Sequence, residues 1–109
     1  MKLEIRIVNL KHSLLKHPTI QIDRRTWLGN PFILGPDGNR ATVIEKYKVW
    51  FDQQMLSNEE FKEKFYDMCK SYAHYEIVQL ACWCSPQPCH GDIIKQAMEE
   101  IYHENSLNP

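Results

Sequence analysis

No apolar run in this sequence is long enough to cross a bilayer; none approaches the roughly 18 residues that a spanning helix needs. The amino end, MKLEIRIVNLKH, alternates charged with apolar residues and has no secretory-signal core. An excess of either charge is also missing. Thirteen Lys and Arg against fourteen Asp and Glu leave a net charge of −1. No long-range field therefore draws nucleic acid or an anionic membrane. These absences exclude a membrane partner, argue against nucleic acid, and predict a cytoplasmic protein. Repeats and low-complexity tracts are absent as well.

What is present is an ordinary globular composition, 43% hydrophobic and 25% charged over 109 residues. That length supports one domain with a modest core, spanning 1–109 with a polar tail fraying from about residue 104. Dimerisation would help so small a core.

Residues 3–10, LEIRIVNL, place Leu3, Ile5 and Ile7 in alternation and predict a strand. Residues 19–23, TIQID, predict a second one. The polar connector between them, with Leu14 and Leu15, is long for a tight hairpin and short for a helical crossover, so their relative direction stays open. Residues 24–41 hold three glycines and two prolines and predict an irregular loop. Two helices follow, with capping-box spacing at Thr42/Glu45 and at Ser57/Glu60. Val43, Ile44, Tyr47, Trp50, Phe51 and Met55 share one face of the first. Phe61, Phe65, Met68 and Tyr72 share one face of the second, where Cys69 reads as a small core residue. Residues 76–84, EIVQLACWC, predict a third and central strand. The last helix begins near Gly91 or Asp92 and buries Ile94, Ala97, Met98 and Ile101.

This order predicts a small three-layer α/β domain. Its short, mostly parallel sheet of about three strands has helices packed around it, and the third strand runs parallel to one of the first two. Ligands in such sheets bind beyond the carboxyl ends of strands. The 24–40 loop and the 82–92 turn both fall there, so the two should share one rim.

The 82–92 turn, CWCSPQPCHGD, concentrates three of the four cysteines and His90. Cys82, Cys84, Cys89 and His90 form a ligand set that suits structural zinc, although adjacent Cys89 and His90 would strain four-fold convergence. Alternatively, the amides of Cys89, His90, Gly91 and Asp92 open a helix and favour an anion, with Gly91 permitting close approach. Arg24, Arg25 or Arg40 would clamp that anion, and Trp27, Phe32 or Trp83 would stack on a base. A third reading makes Cys89 a nucleophile and His90 its base. Against all three stands plain packing, with Cys82 and Cys84 in the core and His90 and Asp92 as helix caps.

In the loop, Gly29 allows a bend and Pro31 extends Asn30. The Asn30 amide then either reads a ligand or ties its own loop together.

WLGNPF, then Arg40 and Tyr47, then LACWCSPQPCHGD together resemble a bacterial and phage domain-of-unknown-function family with the signature GNPF…CWCxPxxCHGD. The resemblance runs from Ile5 to about Ile94. It maps onto Arg24 or Arg25, Gly29, Asn30, Pro31, Phe32, Arg40, Tyr47, Cys82, Trp83, Cys84, Pro86, Cys89, His90 and Gly91. It implies where the site lies and assigns no reaction. A phage setting would suit sequestering or modifying a nucleotide signal. The leading expectation is a pocket for a small anionic, nucleotide-like ligand between the 24–40 loop and the 82–92 turn. The alternatives are a nucleotide-processing enzyme using Cys89 and His90, and a zinc-stabilised interaction module.

Overall fold

The structure, a computed structural model, describes residues 3–11, 17–84 and 87–104. Leu14, Leu15, Pro86 and the tail 105–109, all part of the expectations above, lie outside the described residues.

Three strands form one sheet in the order β1-β3-β2: β1 is Glu4–Asn9, β2 is Thr19–Gln21 and β3 is Ile77–Cys82. Both pairings are parallel, Ile7 opposite Leu80 and Ile20 opposite Leu80. The first two strands therefore form no hairpin and do not pair with each other; β3 lies between them. That position explains the apolar reading of IVQLAC. Residues 78 to 82 are all buried, because a central parallel strand is covered on both faces.

The crossover from β2 to β3 is a helical hairpin, α1 at Arg40–Ser57 and α2 at Glu59–Tyr72. α1 starts earlier than its capping box predicts, and α2 slightly later. Asn39 caps α1 by accepting from the Thr42 amide at 2.9 Å, and Asn58 caps α2 by accepting from the Phe61 amide at 3.1 Å. Asparagine ranks beside serine and above threonine at this position, and here it wins both contests. The last helix, α3, is Gly91–Glu104, so His103 and Glu104 belong to it and not to a frayed tail. It lies against β1 and β3, and the α1–α2 hairpin packs against it.

The core joins Ile5, Ile22, Leu80 and Cys82 from the sheet side to Phe51, Phe65, Cys69, Ile94 and Met98 from the helices. Tyr102 fixes α3 to α2 by donating its hydroxyl to the Cys69 carbonyl at 2.8 Å. Cys69 is fully buried, as its helical position predicts, and burial pushes its thiol up to about 12. No helix among the described residues is long and apolar enough to cross a membrane.

Candidate functional site

At the carboxyl ends of β2 and β3 the chain turns sharply twice. After β2, the Asp23 carbonyl accepts from both the amide and the hydroxyl of Thr26, each at 2.9 Å, and the Thr26 carbonyl accepts from Gly29 at 3.0 Å. This double turn folds back so tightly that a Cβ on Gly29 would sit 2.5 Å from the Asp23 carbonyl oxygen. Only glycine fits there.

Three interactions join this loop and the helix after it to the Cys82–His90 turn. Arg40 donates to the Pro88 carbonyl at 3.2 Å. The His90 ring bonds through Nε2 to the Ile22 carbonyl, which can only accept, so Nε2 carries the proton. Tyr47 donates its hydroxyl to the Leu28 carbonyl at 2.7 Å and sets its ring edge-on to His90, centroids 5.0 Å apart. From the other side, Asn9 holds the Trp83 carbonyl at 3.0 Å. Two stretches remote in sequence thus meet at one rim. Between them lies a pocket of about 140 Å³. Its walls include Arg24, Asn30, Phe32 and Arg40 from one stretch and Cys82, Trp83, Cys84, Cys89 and His90 from the other.

The remaining expected residues sit elsewhere, for identifiable reasons. Trp27 turns away from the pocket and packs edge-on against Phe61 and Phe65, at 5.2 and 6.5 Å, with the Lys64 ammonium 4.7 Å above its ring. Arg25 points outward and pairs with Asp23 at 2.8 Å. Asn30 lines the pocket, while its amide ties the loop to itself and to α1. Its Oδ1 accepts from Phe32 at 2.9 Å and its Nδ2 donates to the Val43 carbonyl at 3.3 Å. It is a tie, not a free reading head.

The amides opening α3 are similarly committed. Gly91 donates to the Cys89 sulfur at 3.3 Å, Asp92 to the Cys89 carbonyl at 3.1 Å and Ile93 to the His90 carbonyl at 3.0 Å. Two amides of the expected anion cradle, those of Gly91 and Asp92, are therefore taken up by the turn itself. Gly91 is small for packing, since a Cβ would press on Ile22 at 3.0 Å and Cys89 at 3.2 Å. Asp92 is exposed and outside the pocket wall.

The two cysteine chemistries fare differently from expectation. The Cys89 and Cys82 sulfurs contact each other at 3.2 Å, and both residues are buried. That contact, more than burial, raises the Cys89 thiol far above its ordinary range. With its sulfur on Cys82 and the His90 Nε2 on Ile22, the expected nucleophile and base each face another partner. Among the described residues no three His, Cys, Asp or Glu side chains are disposed to share a metal ion.

Sequence reading missed one wall residue of consequence. Asp23, which the sequence pattern places at the end of a strand, is only 3% exposed and lines the pocket. One carboxylate oxygen holds Arg25 and the other, Oδ1, has no partner among the described residues. A lone buried aspartate leaves no sequence signature except its place at a strand's carboxyl end. Leu34, Val43, Ile44 and Pro88 complete the wall. Burial holds the His90 pKa below its usual 6.5, against the opposing pull of the Ile22 carbonyl.

Comparison with known proteins follows this geometry closely. A family model described as "Domain of unknown function (DUF4326)" matches residues 7–100. The chain belongs to the DUF4326 family. The match takes in both rim segments and most of α3. A relative from Enterobacteria phage T4, named "Uncharacterized 12.4 kDa protein in nrdA-td intergenic region", is 33% identical over 90 residues, covering 79% of this chain and 72% of the relative. No solved structure matches this chain.

Proposed function

We propose that this DUF4326 protein binds a small anionic, nucleotide-like molecule in the pocket between the 24–40 loop and the 82–92 turn. The observation that carries the reading is the pairing of two arginines with a buried carboxylate on one wall. Arg24 donates to the Asn30 carbonyl and Arg40 to the Pro88 carbonyl, through one NH group each. A guanidinium has five N–H donors, so each retains several for an anion. Asp23 adds an acceptor with an unmet bond, suited to a hydroxyl or ring N–H on the same ligand. A bare sulfate, which has no donor, would satisfy the arginines and not the aspartate.

The remaining walls are apolar or aromatic: Phe32, Leu34, Ile44 and the exposed Trp83. At about 140 Å³ the pocket is smaller than the roughly 300 Å³ that encloses a whole small-molecule ligand. It takes one compact group of the ligand, a sugar phosphate or a base, with the rest lying over Trp83 and Leu34 at the mouth. In this reading the anion rests on arginine side chains, and His90 fixes the floor. Sequestration of a nucleotide signal fits such a site in a chain with a phage relative.

Isothermal titration of the protein with a panel of mononucleotides, cyclic nucleotides and inorganic phosphate tests the proposal. Binding of at least one nucleotide is expected, with Arg40→Ala weakening it by about tenfold or more, as loss of a charge-assisted contact does. Silence across the panel, or equal binding by Arg40→Ala, contradicts it.

A further inference from the structure

The Cys82–Cys89 contact is not explained by ligand binding. Two thiols from different elements, the end of β3 and the residue two before α3, meet at 3.2 Å. A covalent disulfide has its sulfurs about 2.05 Å apart, so closure requires about 1.2 Å of approach. Both sulfurs belong to residues buried in the protein but lining the pocket. A small molecule in that pocket reaches them where bulk reagents do not. Cys69 offers a contrast. It is equally buried, lies in α2, and lines none of the pocket.

We infer that Cys82 and Cys89 form an oxidative modification site, closing to an intramolecular disulfide when hydrogen peroxide enters the pocket. The chemistry balances in two steps. One thiol, as its thiolate, attacks the peroxide; the O–O bond breaks, a sulfenic acid forms, and the departing hydroxide takes up the thiol's proton as water. The second sulfur then displaces the sulfenic oxygen, forming the S–S bond and releasing a second water. Two thiols are oxidised by two electrons and one peroxide is reduced to two waters. The reaction is slow at neutral pH, because Cys89 holds its proton firmly in this setting, and it accelerates as pH rises.

Closure would staple the end of β3 to the start of α3 across seven residues, directly beneath the carbonyl held by Arg40. The Cys89 sulfur would also move from the position in which it accepts the Gly91 amide. The inference stands apart from ligand identity, since it needs only the thiol pair and access from the pocket.

The test is thiol mapping of the intact reduced protein after hydrogen peroxide treatment. Free thiols are alkylated under denaturing conditions and the digest is read by mass spectrometry. Expected is a monomer lighter by two hydrogens, a cross-linked Cys82–Cys89 peptide, loss of alkylation at those two positions alone, and full recovery with dithiothreitol. Cys84→Ser should leave the cross-link in place; Cys89→Ser should abolish it. Should Cys89→Ser misfold, the wild-type map decides alone. Cys82 and Cys89 remaining alkylatable, going on to sulfinic acid without a cross-link, or pairing instead with Cys84 or another molecule would each overturn the assignment.

Discussion

Trp27 and Trp83 flank the two rim segments and end in opposite surroundings. Around Trp27 the molecule is dry and aromatic: Phe61, Phe65, Trp50 and Phe51 meet edge-on, with centroids 5 to 7 Å apart, and weld the α1–α2 hairpin to the base of the loop. Around Trp83 the ring is 58% exposed and its neighbours are arginine, histidine, cysteine and an aspartate with an unmet bond. A single loop supplies residues to both. Trp27 anchors it in the aromatic wedge, which leaves Arg24, Phe32 and Arg40 to face the pocket. The contrast teaches that scaffold and candidate site are separable here: one region is built from ring contacts, and the other holds a buried carboxylate oxygen with no partner among the described residues.

The sharpest way to break that contrast lies on the scaffold side. Phe65 is fully buried and touches both Trp27 and Phe51. Phe65→Ala should cost about 3–5 kcal/mol of stability, read from urea unfolding. A loss under about 1 kcal/mol would mean that the wedge does not carry the fold. Arg40 is half-buried and makes a single bond to the Pro88 carbonyl, so Arg40→Ala should cost less, about 1 kcal/mol.

A smaller effect comes from His90, where scaffold and site touch. Its folded pKa is lowered from 6.5 by burial. Above pH 6.5 the ring is neutral whether the chain is folded or not, and stability is at its full value. As pH falls below 6.5 the unfolded chain takes up the proton first, so stability declines until pH passes the lowered folded pKa. The slope from this one group cannot exceed about 1.4 kcal/mol per pH unit. Unfolding midpoints measured between pH 7.5 and 5 should show this decline in the wild type and a flatter profile in His90→Gln. Identical profiles would assign the pH dependence elsewhere.

The sequence made the element order and the meeting of the two rims legible, for physical reasons. Strand alternation at Leu3–Ile5–Ile7, the unbroken apolar run in β3 and the glycine- and proline-rich loop are local signals. Parallel topology then obliges both loops to emerge at the same end. What stayed hidden depends on partners far along the chain. Trp27 could not be told from a ligand-stacking ring without knowing that Phe61 and Phe65 lie over it. The α3 amides looked available because nothing local shows the Cys89 sulfur and carbonyl turning back to accept them. Asp23 looked like the end of a strand, and only the fold reveals that one of its oxygens is buried without a bond.

Two-dimensional amide spectra of the labelled protein, recorded while a mononucleotide is added, test the central claim most directly. The account predicts shifts concentrated at residues 23–24, 32–34, 40–44, 82–84 and 88–90, with the aromatic wedge around Phe61 and Phe65 unmoved. Shifts centred on the wedge or on the outer face of α2, with the two rims silent, would contradict it.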